Sequence, residues 1–304
     1  MKEGGSSSVW KDTMIAVTGA NGHLGQLVIE GLAERVPVNQ IIATVRSLGK
    51  VSRLQTLGVQ VREADYSRPE TLSIALHGAE RVLLISVDEV GQRFKLHKAV
   101  IDASREAKLE LLVYTSLLRA DTSEIFLARE HKQTEDYIRD SGLPFVILRN
   151  GWYLENHTSA LGSAIEHGAL LGSSSDGRFA SASRADYAAA AAVVLTQQVL
   201  GSKTYELAGD RSFSMTELAS EVSRQIGREI PYRNLSSEEY AAVLLGLGMP
   251  QGVIDVIVDA DAKAIRGHLD SASRDLSRLI GRPTTTLFDA VASALTARVQ
   301  RATR

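Results

Sequence analysis

Six apolar runs of strand length, separated by stretches of helical period, constrain this chain more than any other feature. The runs are Met14–Thr18, Ile41–Val45, Val59–Glu63, Arg81–Ser86, Leu111–Thr115 and Phe145–Leu148. After the first comes a helical stretch with Leu24, Leu27, Val28, Gly31 and Leu32 on one stripe. Others follow near Pro69–Leu76, Gln92–Ala107 and Ala128–Asp140. Strands that are apolar throughout must be covered on both faces, and strands that alternate with helices pair in parallel. Residues 14–150 therefore predict an α/β, doubly wound parallel sheet of the Rossmann type.

Beyond residue 150 the pattern changes. Ser183–Thr196 reads as an Ala-rich helix with a capping box from Ser183 to Asp186, and Tyr205–Leu207 as a short strand. Helices are expected at Ser214–Ile226, Ser236–Leu247, Gln251–Ile265 and Thr286–Val299. Residues 151–304 are read as a smaller, mostly helical lobe, interleaved with the first domain and packed on the carboxyl edge of the sheet. The Ser- and Gly-rich loop 172–178 reads as mobile, and the Gly/Ser-rich stretch 1–13 as a disordered leader outside the fold.

Composition removes several chemistries. None of the 304 residues is cysteine, which excludes disulfides, thiolate nucleophiles, iron–sulfur clusters and Cys-type zinc sites. Any redox chemistry must borrow its electrons from a cofactor. A net charge of −2 with 5% aromatic residues argues against nucleic acid as a direct partner. No apolar run approaches the roughly 20 residues that span a bilayer, and residues 1–13 lack the apolar core of a signal peptide. A cytoplasmic protein with no membrane partner is the expectation. Whether it pairs as a homodimer is left open.

The sharpest local signal is Gly19-Ala20-Asn21-Gly22-His23-Leu24-Gly25, between the first strand and the first helix. Its spacing is G-x-x-G-x-x-G. Gly19 permits the tight turn, Gly22 lets the backbone approach a pyrophosphate, and Gly25 lets the helix sit close. The helix N-terminus then offers N–H groups and a positive dipole end to phosphates. Roughly 20 residues on, a carboxylate would grip the ribose of NAD. Here Arg46 ends the second strand, with Lys50 and Arg53 following. A guanidinium pairs with a 2′-phosphate that a carboxylate would repel, so NADPH is the expected cofactor. The alternative is a solvated arginine at a helix start. Asp65-Tyr66, after the third strand, either holds the adenine edge or, through Asp65, caps a helix.

The reactive half is defined by what it lacks. A short-chain dehydrogenase carries Tyr-x-x-x-Lys, whose tyrosine protonates a carbonyl. Lys132 has the lysine's place, but Ala128 stands where the tyrosine belongs. Lys132 either touches the nicotinamide ribose or faces solvent. The seven histidines show no paired-ligand spacing, so no metal site is proposed. A quinone asks less than a ketone does, because its ring becomes aromatic on accepting a hydride. The enzyme then needs mainly to position the ring and to place donors near the developing oxyanion. Arg149-Asn150-Gly151-Trp152-Tyr153-Leu154-Glu155-Asn156, after the sixth strand, offers aromatic faces and amide donors there. Tyr153 and Asn156 are the pocket candidates, while Trp152 is read first as packing between the lobes.

The glycine turn, Val45-Arg46, Tyr114-Thr115-Ser116-Leu117-Leu118 and Leu148-Arg149-Asn150-Gly151-Trp152-Tyr153 resemble the NmrA-like, atypical short-chain dehydrogenase family. More narrowly, Ala120-Asp121-Thr122-Ser123, Ala182-Ser183-Arg184-Ala185-Asp186-Tyr187, Tyr205-Glu206-Leu207-Ala208-Gly209-Asp210 and Pro283-Thr284-Thr285-Thr286-Leu287 are similar to its branch of bacterial NADPH-dependent quinone oxidoreductases. The resemblance runs from Met14 to about Val299. It implies NADPH at the glycine turn and Arg46, with Ser86, Val87 and Asp88 along it. Thr115 and Ser116 would lie under the nicotinamide half, and Asn150 to Asn156 near the active cavity. The expected activity is direct hydride delivery from NADPH to a small quinone, without flavin or metal. Its rival is an NADP-sensing regulator of the same family that binds without turnover. A sugar-nucleotide epimerase or reductase would need the missing tyrosine.

Overall fold

The computed structural model describes residues 13–198 and 201–302. Residues 1–12 of the expected leader lie outside the described residues. The six apolar runs form β1 (Ile15–Val17), β2 (Ile41–Val45), β3 (Gln60–Glu63), β4 (Arg81–Leu84), β5 (Leu111–Leu117) and β6 (Phe145–Asn150). Between them run α1 (His23–Ala33), α2 (Ser52–Thr56), α3 (Pro69–Ala75), α4 (Arg93–Glu106) and α5 (Ala128–Asp140). The chain continues as α6 (Leu154–Thr158), α7 (Leu161–His167), β7 (Leu170–Gly172), β8 (Arg178–Phe179), α8 (Arg184–Thr196) and β9 (Lys203–Leu207). It ends with β10 (Phe213–Ser214), α9 (Met215–Ile226), β11 (Tyr232–Asn234), α10 (Ser237–Gly246), α11 (Gln251–Ala264), α12 (Asp275–Ile280) and α13 (Leu287–Ala302).

The main sheet has the order β3-β2-β1-β4-β5-β6-β9, and every pairing is parallel. β1, β2, β4 and β5 are buried along their whole length. One face packs side chains of α1, α8 and α12, the other those of α3, α4 and α5. This two-sided cover is why the strands carry no polar alternation.

The short strand expected at Tyr205–Leu207 is β9, which reaches back from the later half of the chain and pairs with β6 in the main sheet. An open β6 edge would expose unpaired backbone groups, and β9 removes that liability. Likewise α8 packs on α1, where a Cβ on Gly31 would meet the Ala192 methyl at 3.4 Å. The Ala-rich composition of α8 is what allows that close approach. Its capping box is formed as expected: Ser183 Oγ accepts from the Asp186 N–H at 3.1 Å, and Asp186 accepts from Ser183 N.

The second core gathers Phe179, Phe213, Leu218, Val222 and Val291 with Leu117 from the end of β5 and Leu154 after β6, so this lobe sits on the carboxyl ends of the strands. Loop 172–178 is pinned. Ser173 N donates to Asp261 Oδ2 at 2.8 Å, Ser174 N to the Tyr232 hydroxyl at 3.1 Å and Ser175 N to Asn234 Oδ1 at 2.7 Å. Ser173 and Ser174 are buried and Ser175 half-buried, and all three serve as backbone donors, which composition alone cannot distinguish from a flexible tract. Among the described residues, no helix is long and apolar enough to cross a membrane.

Candidate active site

Sheet order reverses between β1 and β4, where a crevice must open at the carboxyl ends of the strands. A cavity of about 2060 Å³ lies there. It runs from the glycine turn past the ends of β2, β4, β5 and β6 to an apolar wall of Leu244, Leu247, Met249, Val253 and Val256 on and between α10 and α11. Pockets for one drug-sized ligand are about 300–1,000 Å³, so a dinucleotide and a second ligand fit together.

Gly19 has φ +61°, in the left-handed region where a side chain is strained. Asn21, Gly22, His23, Leu24 and Gly25 line the cavity, while Ala20 is buried behind them. Ala20 N donates to Thr44 O and Gly22 N to Gly19 O, each at 3.0 Å, which ties the turn to β2. Helix α1 begins at His23 after the extended Gly22. A Cβ on Gly25 would lie 2.4 Å from Gly19 O and 2.7 Å from Ala20 Cα. Gly25 thus lets the helix close on the turn itself rather than on the strand.

Arg46 lines the cleft at the end of β2, half on its rim with 70% of its side chain exposed. It pairs with Glu89, which holds the guanidinium pKa above its ordinary value. Arg53 turns away to Glu30 and Gln26. The Lys50 side chain lies outside the described residues. Asp65 does not line the cleft. It accepts from Ser67 N at 2.9 Å and from Arg68 Nε at 3.1 Å, and so shapes the turn before α3. These bonds lower its carboxyl pKa. The neighbouring Tyr66 faces the cavity instead.

Ser86, Val87 and Asp88 form the wall after β4. Hydroxyls from the flanking strands hold that wall. Thr18 Oγ1 accepts from Ile85 N at 3.1 Å and Thr115 Oγ1 from Ser86 N at 2.9 Å. Thr115 therefore acts from behind the wall and does not line the cavity. Val87 is clamped at both ends: its N–H donates to His97 Nε2 at 3.1 Å, and its carbonyl accepts from Arg93 Nε at 2.9 Å.

An acceptor Nε2 requires His97 to be neutral. Burial and nearby Arg93 depress its pKa to about 3, and burial depresses that of His157 to about 4. Unfolded histidines bind protons near pH 6.5. Below that value the unfolded chain takes up protons that the native chain refuses. Stability is then complete above about pH 6.5 and falls toward pH 4, by at most about 1.4 kcal/mol per pH unit per histidine. Urea midpoints at pH 7.5 and pH 5 (about 6.5 lies between them) test this. Equal midpoints would contradict it.

The cleft floor comes from β5, α5 and β6. Ser116 lines it and donates through Oγ to Glu135 Oε1 at 2.7 Å. Glu135, fully buried, also takes two bonds from Arg149, Nε at 2.8 Å and Nη2 at 2.6 Å. Arg149 reaches Glu206 at 2.7 Å and Asp121 at 2.9 Å. The carboxylates around it raise its pKa.

Asn150, Gly151, Trp152, Tyr153 and Asn156 line the cavity. A Cβ on Gly151 would lie 2.9 Å from the Tyr187 hydroxyl, so glycine is needed for packing there. Trp152 both lines the cavity and packs on the second core. Tyr153 stacks near Arg184, whose guanidinium lies 4.8 Å from the ring centre, and burial raises its phenol pKa. Asn156 Oδ1 accepts from Arg184 at 3.0 Å, which leaves its NH₂ as a donor.

Lys132 is not on this floor. It pairs with Asp136 on the outer side of α5, and the adjacent His131, which sequence reasoning passed over, lines the cavity. One helical residue is about 100° of rotation, enough to exchange the two faces.

A phosphorylated dinucleotide fits these residues. The turn admits no Cβ at Gly25, the helix start supplies N–H groups, and Arg46 lines the same cleft at the end of β2, where a ribose phosphate would need a cation. Deeper in the cleft, Asn150 Oδ1 is buried without a hydrogen-bond partner, an acceptor suited to a ligand amide.

A family model described as NAD(P)H-binding matches residues 19–198. Quinone oxidoreductase 2 of Escherichia coli is 48% identical over 278 residues, which is 91% of this chain and 97% of that protein. The crystal structure of the E. coli NADPH-dependent quinone oxidoreductase complexed with NADPH superposes with a TM-score of 0.89 at 47% identity, covering 93% of this chain and all of that one. Triphenylmethane reductase of Citrobacter sp. complexed with NADP(H) gives 0.88 at 35% identity, with 92% and 99% covered. The chain belongs to the NAD(P)H-binding, NmrA-like family.

Proposed function

We propose that this protein is an NADPH-dependent quinone reductase. One observation carries the reading. A single cleft joins a phosphate-ready glycine turn and a basic strand end to a floor of amide and aromatic groups, and the tyrosine that α5 does carry, Tyr137, bonds Asp102 away from that cleft. Gly19, Gly22 and Arg46 hold the cofactor phosphates. Ser86, Val87 and Asp88 follow its length, and Asn150 Oδ1 orients its amide. Bound NADPH supplies a hydride. Tyr153, kept protonated by burial, and the Asn156 NH₂ are the donors that steady a quinone's oxygens. The apolar wall of α10 and α11 excludes water from the ring. In this reading the partners are NADPH and a small quinone, with no nucleic acid, and the setting is the cytoplasm.

Loss of NADPH absorbance with benzoquinone or a small naphthoquinone tests the activity. Tight NADP binding without turnover would favour a sensor and defeat the enzyme reading. Arg46→Asp is expected to weaken NADPH by about 100-fold, the value of a charge-assisted phosphate contact turned repulsive, while NADH changes little. Equal losses for both cofactors would show that Arg46 does not read the 2′-phosphate.

A further inference from the structure

His131 is only 5% exposed, and it lines the cleft, as do Ser116 and Leu117. Among the described residues its ring makes one hydrogen bond, between Nδ1 and the Tyr114 hydroxyl at 2.7 Å. Tyr114 is fully buried and does not line the cavity. Nδ1 therefore faces the protein, and Nε2, on the opposite side of the ring, is left to the cleft. A phenol this deeply buried must donate its proton; Thr134 Oγ1, the other hydroxyl beside it, is already engaged by His97 Nδ1 at 3.1 Å and Glu130 O at 2.9 Å, which leaves His131 Nδ1 as the acceptor. The ring proton is thereby assigned to Nε2.

Resting on the quinone-reductase reading, we propose that His131 is a catalytic residue: its Nε2–H donates a hydrogen bond to the quinone oxygen on which negative charge develops. The Tyr114 hydroxyl is the positioning group that fixes this tautomer. The stoichiometry needs nothing further. NADPH gives up a hydride and is oxidised, the quinone gains two electrons, and a proton from solvent completes the hydroquinone once its oxygen leaves the apolar wall. His131 keeps its own proton throughout.

The surroundings favour a donor that stays uncharged. Burial, Arg93 and His97 push the His131 pKa well below its ordinary value. Arg93, 4% exposed, also lines the cleft and adds positive potential near the same oxygen. Glu130, which could oppose it, is engaged by Gly91 N at 3.0 Å and faces Arg93 at 3.5 Å, and Glu135 is engaged by Arg149. With Ala128 at the tyrosine position of α5, the same helix thus offers His131 to the reacting oxygen, as a hydrogen-bond donor that gives up no proton.

The test compares wild type with His131→Phe and His131→Gln. Phe is expected to lower kcat for benzoquinone by about 100-fold, the usual cost of one lost oxyanion donor, with NADPH affinity by fluorescence kept. Gln, which retains an N–H donor, should stay within about tenfold of wild type. Independently of turnover, ¹⁵N spectra of the wild-type protein with NADP⁺ should show a neutral ring protonated at Nε2. That resonance should move when hydroquinone is added. Phe turnover within about threefold of wild type, a ring protonated at Nδ1, or an unmoved resonance each overturns the proposal. Absence of wild-type turnover would defeat the quinone reading itself, and the nitrogen spectra would still decide whether Nε2 is the cleft's donor.

Discussion

Arg149→Met is expected to destabilise the protein by about 3–5 kcal/mol, the cost of leaving one partner of a buried ion pair unpaired. Arg149 is 5% exposed, and three carboxylates converge on it. Without the guanidinium, Glu135 remains fully buried with only Ser116 and the half-buried Arg139 to satisfy it. The loss should reach function too, because Ser116 on the cleft floor takes its orientation from Glu135. Glu135→Leu combined with Arg149→Met should be less damaging than the sum of the single changes, since it removes both charges together. Urea unfolding of the three variants measures this. A single-variant cost below about 1 kcal/mol would mean that solvent reaches the pair.

Gly25→Ala is expected to abolish cofactor binding, lowering NADPH affinity by at least about 100-fold, with about 1–3 kcal/mol of stability lost. The added methyl would meet backbone at 2.4 and 2.7 Å, and backbone cannot rotate away as a side chain can. Helix α1 must back off from the turn, carrying its first N–H groups out of register with the phosphates. Gly162→Ala in α7, where a Cβ meets nothing within 4 Å, is the control and should change neither quantity adversely. Fluorescence titration with NADPH reads the difference. Wild-type affinity in Gly25→Ala would show that the turn tolerates the displacement.

These two sites differ in how openly the sequence displays them. The glycine turn is local: its residues are adjacent, and their meaning follows from the strand before and the helix after. Arg149 is not local. Glu135 is held across two elements and Glu206 sits on β9, so no window of sequence contains the cluster. The apolar strands announced the sheet because burial on both faces suppresses polar residues. β9 was legible as a short strand at Tyr205–Leu207 but not as a member of this sheet, because Lys203-Thr204-Tyr205-Glu206-Leu207 lies at an edge, where alternation survives. Short elements such as α6 and α12 carry too few turns to show a period. Lys132 drew attention by occupying a motif position, yet the helix presents His131 to the cleft. Asp65 was ambiguous on sequence because an acidic residue after a strand serves a ribose or a turn equally well. Its bonds to Ser67 and Arg68 belong to the turn.

Because β9 zips onto β6 and α8 covers α1, the cofactor-binding half is finished by chain that emerges late from the ribosome. Until residue 207 is translated, the nascent polypeptide carries a sticky β-edge and a bare greasy helix side. A fragment cut after residue 150 would inherit both open surfaces.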